Sequence, residues 1–599
     1  MSTGAAAPLP RCTAPDSTST SVTTAVRTVL IEEAANVAIL YSVPARGLGA
    51  FSRRNFLKTA TLAAAASPFV DARSLAQSGG ETLYNGIRLG TPWPPNNRYF
   101  STEPIEPPYL ADPPAVIPID LGRQLFVDDF LIEESSLART FHRAEFHPAS
   151  PVLRPETAWE RRDEYADRTE TKPNPTAMVF SDGVVFDPHD RLFKMWYMGG
   201  YGMNTCLATS SDGIRWDRPV FDVVKGTNIV IPEARDSNTV WLDHENADGK
   251  GRFKLAYYNG SEGGLVLHTS NDGVHFERRG LARHGGDRST FFWNPFRKVW
   301  VFSLRADVNG RDRHRQYYET RDFVSASWAK SSPPLWTGAD SDDLRRPEYN
   351  TPPELYCLDC VAYESLVLGM FTIWHGERPE REKPNDISLG YSRDGFHWTR
   401  PSRDAFIGVS ENPGAWNWAN VQSAGGCCLV VGDKLYFYVS GRQGDPGTNR
   451  PGICSTGLAT LRRDGFASLT DDRATPQPVR VSSLPASVTT RPIRFSGSHL
   501  FVNAEVSGSI RVEVLDAGGR VLPGFGAAEC SPVQGNGTRL PVAWPGATLG
   551  ALAGETIRLR FRLDRGRLYA FWVSATTAGA SGGYAGAGGP SFKSPVDRP

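Results

Sequence analysis

Carboxylate side chains beside short apolar segments are the residues of this sequence whose types and spacing best suit chemistry. Asp236 precedes Ser-Asn-Thr-Val-Trp, Asp287 precedes Arg288 and the apolar Phe-Phe-Trp segment, and Glu364 follows Val-Ala-Tyr. Two carboxyl groups can cleave a glycosidic bond, one as proton donor to the leaving oxygen and the other as nucleophile or as base for water. We predict Asp236 or Asp287 as nucleophile or base and Glu364 as the acid.

The residues next to these acids suit the predicted roles. Arg288 beside Asp287 favours an ionised carboxylate, and the aromatic surroundings of Glu364 favour a carboxyl group whose pKa is raised by desolvation. Each acid also has a structural alternative. Asp236 can cap a strand, Asp287 can form an ion pair with Arg288, and Glu364 can lie in a surface turn.

Further residues are predicted to bind a sugar substrate. Acids on neighbouring strands are reserve carboxylates, and neutral amides bind hydroxyls. Arg288, Arg305 and Arg442 can donate paired hydrogen bonds to hydroxyls or to a uronate carboxylate. A Trp-Asn-Trp segment in a Gly/Pro-rich loop offers aromatic rings for stacking. The predicted substrate-binding residues are Asp182, Asp187, Arg288, Arg305, Glu354, Asp359, Trp416, Trp418, Asn420 and Gln422.

Several other kinds of site are excluded or disfavoured. The sequence has no P-loop, no GxGxxG segment and no GxSxG nucleophile elbow. Cys357 and Cys360 form a single CxxC motif without a second pair, which favours buried strand cysteines over a zinc or redox site. We therefore predict no metal and no cofactor. The 65 basic and 65 acidic residues balance, which argues against nucleic acid and against a polybasic membrane surface as partners.

A repeated segment centred on Asp-Gly organises the middle of the chain. Residues 210–216 (SSDGIRW) recur at 270–276 (SNDGVHF) and 392–398 (SRDGFHW), with weaker copies at 321–323 and 463–466. Because Gly tolerates a positive φ and Asp can bond its own backbone, we interpret each Asp-Gly as a structural hairpin turn. These aspartates are not among the predicted catalytic residues.

Each copy follows two predicted strands, of which the second is rich in aromatic residues. Five units of about four strands indicate a five-bladed β-propeller, because sheets packed around an axis bury both of their faces. The alternative is a series of unrelated hairpins. The first strands are predicted at 176–186, 238–242, 289–293, 355–363 and 420–431.

First strands from different blades converge on the central channel of a propeller. We therefore expect acids that are distant in sequence to meet at one mouth of that channel. At least three of Asp182, Asp236, Asp287, Glu354 and Glu364 should lie there.

The rest of the chain divides by composition. Residues 52–58 (SRRNFLK), followed by an Ala-rich segment and a small-residue cleavage site at 74–76, predict twin-arginine export to the periplasm or the extracellular space. No apolar run reaches the length of a membrane span. The predicted all-β organisation is a signal region (1–76), a Pro-rich linker (77–116), the propeller (117–478, with 125–132 closing its ring), a β-sandwich (479–575) and a disordered Gly/Ala-rich tail (576–599).

A five-bladed propeller followed by a β-sandwich resembles the superfamily of glycoside hydrolase families 32 and 43. The segments that resemble a family 32-like subgroup are 125–133 (LFVDDFLIE), 287–305 (DRSTFFWNPFRKVWVFSLR), 354–365 (ELYCLDCVAYES) and 388–401 (SLGYSRDGFHWTRP).

The resemblance implies an exported glycoside hydrolase that acts on a poly- or oligosaccharide. The placement of Asp236 resembles that of an acidic residue on the second blade of related propeller glycosidases. The family 32 motif WMNDPNG and its Arg-Asp-Pro and Glu-Cys-Pro motifs are absent. A non-catalytic carbohydrate-binding propeller, and a phosphorylase or lyase on the same fold, are therefore the alternatives. The sequence gives no prediction of oligomeric state.

Overall fold

β-Strands supply nearly all regular structure in the computed structural model, which describes residues 80–98, 101–169, 171–246, 248–308, 312–328, 331–471 and 486–599. Of the two compact units into which the chain divides, the description concerns the second, Gly79–Pro599. Within it the helices are α1 (Pro108–Ala111), α2 (Glu164–Thr169) and two 3-10 turns (Phe323–Ser325 and Leu549–Leu552). The predicted export signal lies outside the described residues.

Five short strands precede the repeated region: β1 (Ile117–Pro118), β2 (Gln124–Leu125), β3 (Ile132–Ser135), β4 (Ala138–Phe141) and β5 (Glu145–Phe146). Strands β1 to β4 join the C-terminal sheet, and β5 pairs with the last blade. The predicted role of residues 125–132 in closing the propeller ring is therefore wrong. Phe126 and Phe130 are buried in the core of the C-terminal sheet, and β5 closes the ring instead.

Five sheets form the predicted propeller. Blade 1 contains β6 (Ala177–Asp187), β7 (Leu192–Gly199), β8 (Asn204–Ser210) and β9 (Ile229–Ile231). Blade 2 contains β10 (Asn238–Leu242), β11 (Phe253–Asn259), β12 (Gly264–Ser270) and β13 (Glu277–Arg283). Blade 3 contains β14 (Thr290–Asn294), β15 (Val299–Val308), β16 (Asp312–Thr320) and β17 (Leu335–Thr337).

Blade 4 contains β18 (Glu354–Glu364), β19 (Leu366–Trp374) and β20 (Asp386–Ser392). Blade 5 contains β21 (Asn420–Ser423), β22 (Leu429–Val431), β23 (Lys434–Arg442) and β24 (Cys454–Arg462), with β5 paired to β24. The first strands β6, β10, β14, β18 and β21 contact one another around the ring. Their positions match the predicted first strands, except that blade 5 divides its first strand into β21 and β22. The five-bladed propeller is thereby confirmed.

The Asp-Gly turns have the structural role predicted for them. The Asp212 carboxylate accepts hydrogen bonds from the N–H groups of Ile214 and Arg215, at 2.7 and 2.8 Å. Asp272 and Asp394 make the same pair of bonds in their own turns. The turns also join neighbouring blades, because the Gly213 carbonyl accepts a hydrogen bond from the Tyr438 hydroxyl of blade 5. These aspartates are therefore engaged in turn structure.

The C-terminal module is a single hydrogen-bonded sheet of ten strands that includes β1 to β4. Its remaining strands are β25 (Ala467–Asp471), β26 (Ala486–Thr490), β27 (Ile493–Arg494), β28 (His499–Asp516), β29 (Val533–Val542) and β30 (Ile557–Ser574). Apolar residues of the 18-residue strands β28 and β30 are buried in a large core. Buried and less buried residues alternate over part of each strand. The two-layer sandwich packing stays a prediction.

The Gly/Ala-rich tail differs from the predicted disorder. Its strand β31 (Tyr584–Ala585) pairs with Tyr363 and Glu364 at the end of β18. The Ala587 N–H donates to the Cys428 carbonyl, and the Phe186 N–H donates to the Ala587 carbonyl. Small side chains permit this close approach, since a Cβ on Gly586 would lie 2.4 Å from the Cys428 carbonyl oxygen. The tail therefore lies across the end of the channel where β6 and β18 finish.

Among the described residues, no helix combines the length and the apolar character that crossing a bilayer requires.

Candidate functional site

The two ends of the propeller channel differ in chemistry. The end at which the first strands begin, here called the N-terminal mouth, carries Asp236, Asp287 and Glu354 directly before or at the start of β10, β14 and β18. The end at which these strands finish, here called the opposite mouth, is crossed by the tail. A largely apolar cavity at the opposite mouth is lined by Trp241, Trp293 and tail residues.

Asp236 and Asp287 lie side by side at the N-terminal mouth. The residues that follow them are hydrogen bonded to each other, because the Arg288 N–H donates to the Ser237 hydroxyl at 2.7 Å. The Asp236 carboxylate accepts a bond from the Ser237 N–H at 2.6 Å, as expected for an acid that caps the start of a strand. The structure therefore brings together two of the three predicted catalytic residues.

The carboxylate of Asp287 is held by arginines of its own blade. It forms an ion pair with Arg305 and a longer one, at 3.8 Å, with Arg313. Arg305, a predicted substrate-binding residue, also pairs with Asp307. Because both acids engage Arg305, its role here is to position Asp287. The Arg313 N–H lies 3.4 Å from a carboxylate oxygen of Glu354, which places Glu354 at the same mouth.

Tyr356 lies among cations at the N-terminal mouth and was not predicted from the sequence. Its buried ring packs against Arg313, whose guanidinium carbon lies 4.4 Å from the ring centre, and against the Lys383 ammonium at 5.5 Å. Burial acts to raise the pKa of Tyr356, but Lys383, Arg313 and Arg442 outweigh burial and hold the pKa below its usual value, against the opposing charge of Asp236. The surrounding cations therefore favour the ionised form of the Tyr356 hydroxyl.

Two further predicted acids are buried inside the channel. Asp182 accepts hydrogen bonds from Arg235 at 2.6 Å and from Asn238 at 2.9 Å. Asp359 accepts bonds from the hydroxyls of Ser181 and Ser423, at 3.0 and 2.5 Å. Burial raises the pKa of both carboxyl groups above their usual value, against the opposing effect of Arg235 on Asp182 and of Arg288 on Asp359.

A cluster of cations surrounds Phe180 near the start of β6. The guanidinium carbon of Arg288 lies 4.0 Å from the centre of the Phe180 ring, and that of Arg442 lies at 5.4 Å. Arg442 pairs with Glu382 at 2.5 Å. The cluster places the predicted residue Arg288 in the interior of the site. Arg442, which ends β23, is among the arginines predicted to bind hydroxyls or a uronate carboxylate, whereas Lys383 carries no motif and lies in a loop that gave no signal for the prediction.

The substrate-binding residues predicted in and beside blade 5 differ in burial and in their contacts. Asn420 and Gln422 are fully buried and bonded to each other, and Asn420 also donates to the Lys383 carbonyl. Trp418 is buried against Arg381. Trp416 packs on Gly441, where an added Cβ would lie 2.1 Å from its ring. Trp416 is partly buried and packs against an apolar core, which favours a packing role over its predicted role as a stacking platform.

Glu364 lies at the opposite mouth, so its predicted role beside Asp236 and Asp287 is wrong. It ends the 11-residue strand β18, roughly 33 Å from Glu354 at about 3.3 Å per residue. Its carboxylate pairs with Arg463 at 3.0 Å and Arg123 at 3.4 Å, and accepts a bond from the Ser581 hydroxyl of the tail at 2.7 Å. Burial raises its pKa, as predicted, but within a structural ion cluster.

Asp187 is the second predicted residue that lies away from the N-terminal mouth. It ends β6, where it is fully buried and pairs with Lys194 at 2.9 Å and Arg252 at 2.7 Å. These two cations and the hydrogen bonds they donate hold its pKa below the usual value despite burial. Asp187 therefore joins blades 1 and 2 and is not placed to bind a substrate.

The cysteines give no sign of a metal or redox centre in the described part of the chain. Cys357 and Cys360 are buried and free, like the other five described cysteines. No group of three or more His, Cys, Asp or Glu side chains within the described residues is arranged to hold a metal ion.

The chain is similar in structure to several carbohydrate-active proteins. An N-acetylgalactosamine deacetylase from F. plautii is 14% identical, with 58% of this chain and 97% of that chain covered and a TM-score of 0.35. A fructofuranosidase from Schwanniomyces occidentalis is 12% identical, covering 70% and 98%, with a TM-score of 0.32. A thermostable family-43 glycoside hydrolase is 13% identical, covering 52% and 98%, with a TM-score of 0.35. At this identity the likeness concerns the fold alone.

No family model matches the sequence, and no curated protein matches it.

Proposed function

We propose that this protein is an exported glycoside hydrolase that cleaves a poly- or oligosaccharide at the N-terminal mouth of its propeller. The observation that carries the proposal is the side-by-side placement of Asp236 and Asp287, joined through the hydrogen bond between Arg288 and Ser237. Hydrolysis of a glycosidic bond requires two carboxyl groups on either side of the scissile bond. Asp236 and Asp287, which come from adjacent blades, are our candidates for such a pair.

The surroundings of the two acids favour different roles. Asp287 is held by Arg305 and Arg313, which suits a carboxylate that acts as nucleophile or as base for water. The Asp236 carboxylate makes no ion pair within the described residues and accepts a hydrogen bond only from the Ser237 N–H. We assign Asp236 as the proton donor to the leaving oxygen, in place of Glu364. Tyr356 interacts with Asp236 through charge and is our candidate for assisting the proton transfer.

The proposal is tested by screening the secreted protein against a panel of plant, algal and microbial polysaccharides, with reducing-end release as the readout. Asp236→Asn and Asp287→Asn should each lower turnover by at least about 100-fold, the usual contribution of a general acid or base. Asp404→Asn is the matched control, because Asp404 forms an exposed ion pair with Arg143 at 3.1 Å, away from the mouth. Full activity in both mouth variants would refute the assignment.

A non-catalytic carbohydrate-binding propeller is the second candidate function. It is favoured by the ion pairs that already engage several acids of the site, such as Asp182 with Arg235 and Glu382 with Arg442. Glycan binding without turnover, unchanged in Asp287→Asn, would support this function over hydrolysis.

Export is proposed from the sequence of residues 52–58 (SRRNFLK). Replacing both Arg53 and Arg54 with Lys should retain the protein in the cytoplasm of a host with a twin-arginine pathway, measured by cell fractionation. Secretion of that variant at the wild-type level would contradict the proposal.

A further inference from the structure

One buried arginine of the site, Arg288, has no acceptor for its side-chain donors among the described residues. The described residues include six arginines that are buried: Arg123, Arg235, Arg288, Arg315, Arg393 and Arg442. Arg288 is 0% exposed, and none of its three side-chain nitrogens has a hydrogen-bond partner within the described residues. A guanidinium group carries five N–H donors, and burial of a charged donor without an acceptor is strongly unfavourable.

The other five buried arginines are all bonded. Four of them pair with carboxylates: Arg123 with Asp464, Arg235 with Asp182, Arg393 with Asp128 and Arg442 with Glu382. Arg315 donates to the carbonyl oxygens of Arg288 and Tyr356. The fold therefore supplies an acceptor for every buried arginine of the described chain except Arg288.

Asp359 is an acid whose charge interacts with Arg288, but it does not accept a hydrogen bond from the Arg288 side chain. Asp359 interacts with Arg288 through its charge, but its bonded oxygen accepts from Ser181 and Ser423, and no contact with Arg288 is short enough to be an ion pair. A charge at longer range compensates the guanidinium charge and leaves its N–H donors unsatisfied. The described residues therefore leave the donors of Arg288 available to an acceptor from outside the chain.

The surroundings of Arg288 suit a negatively charged ligand. Arg442 lies against the same Phe180 ring, and the nitrogen Nε of Arg442 also has no partner within the described residues. Arg442 is in turn an electrostatic neighbour of Tyr356, which packs against Lys383. The cluster is contiguous with the mouth, because Arg288 directly follows Asp287 and its N–H bonds Ser237.

We infer that Arg288, with Arg442 beside it, forms an oxyanion-binding subsite that takes the carboxylate of an acidic sugar. Guanidinium groups bind carboxylates and phosphates through paired hydrogen bonds, and a sugar anchored there lies next to the proposed catalytic pair. This inference rests on the proposed function and narrows its substrate class to glycans that contain uronic acids. Inorganic phosphate carries the same oxyanion chemistry, and the test separates the two ligands.

The test is isothermal titration calorimetry on the mature protein at low ionic strength. The probes are D-glucuronate and D-galacturonate, the neutral sugars glucose and galactose, and inorganic phosphate. We expect a uronate to bind at least about tenfold more tightly than its neutral counterpart, as expected when a charge-assisted pair of hydrogen bonds is present in one complex only. Phosphate should bind more weakly than the uronate.

Two variants and one control identify the anchor. Arg288→Gln should weaken uronate binding at least about tenfold and leave the neutral sugars unaffected, whereas Arg288→Lys, which keeps the charge, should lose less. Arg215→Gln is the matched control, because Arg215 is 92% exposed in a surface turn. A thermal melt of each variant establishes that it is folded.

The titration results distinguish an acidic-sugar subsite at Arg288 from the alternatives. Equal binding of uronates and neutral sugars by the wild-type protein would overturn it, whatever the variants do. Phosphate binding that depends on Arg288, without uronate binding, would overturn the acidic-sugar assignment and favour phosphorolysis. Because binding is measured without turnover, a protein that binds uronates but cleaves nothing refutes only the proposed hydrolase activity, and a hydrolase of neutral glycans refutes only this subsite.

Discussion

The substitution Glu364→Gln separates the structural acid from the proposed catalytic ones. The Glu364 carboxylate faces Arg463 at 3.0 Å and Arg123 at 3.4 Å, and it holds the tail through the Ser581 hydroxyl. Removing one partner of a buried ion pair costs about 3–5 kcal/mol. Since burial already opposes the charge of Glu364, we expect the lower end, about 3 kcal/mol, which is a large share of a typical unfolding free energy.

The assay is urea denaturation followed by tryptophan fluorescence, combined with turnover per folded molecule. We expect a lower denaturation midpoint and unchanged turnover at a temperature where the variant is folded. Glu134→Gln serves as the control, because the Glu134 side chain is 67% exposed and lies 3.7 Å from Arg560. A variant with wild-type stability but no turnover would refute the reasoning and return Glu364 to the catalytic site.

Three further substitutions test other parts of the structure. Trp416→Ala should lower the unfolding free energy by about 3–5 kcal/mol. Sugar binding by the folded variant should be unchanged. Weaker binding at wild-type stability would contradict the packing of Trp416 against Gly441. Asp212→Ala should cost about 1–3 kcal/mol and Asp212→Asn less, because Asn keeps the turn acceptor; lost turnover in a folded Asp212→Ala would contradict a purely structural turn. Burial lowers the pKa of His268 to about 4 from 6.5, so its neutral form stabilises the fold above pH 6.5 and this stability is lost as the pH falls toward 4. His268→Phe should therefore reduce the loss of stability across that window, and an unchanged pH dependence would exclude His268 as a cause.

The blade pattern was predictable because its signals are local. The Asp-Gly turns and the aromatic strands before them depend on neighbouring residues, so predicted strands such as 238–242 match β10 (Asn238–Leu242) residue for residue. The tail was not predictable in this way. Its Gly and Ala residues lack the apolar surface that signals a packed segment, and their order comes from close backbone contacts with distant strands.

The candidate site was predicted in part, and the error at Glu364 has a simple cause. Acids on first strands meet only if they lie at the same end of those strands. Asp236 and Asp287 precede β10 and β14, whereas Glu364 ends β18, so the position of each acid relative to its strand would have separated them. The surroundings of Arg288 and Tyr356 depend on tertiary packing, which no spacing in the sequence encodes.

The central claim is that a sugar binds at the N-terminal mouth between acids of blades 2 and 3. The most direct measurement is a crystal structure of Asp287→Asn with an oligosaccharide bound. We predict a glycosidic oxygen within hydrogen-bonding reach of the Asp236 carboxyl group, at about 3 Å. A sugar bound instead in the cavity of the opposite mouth, beside Trp241 and Trp293, would contradict the account.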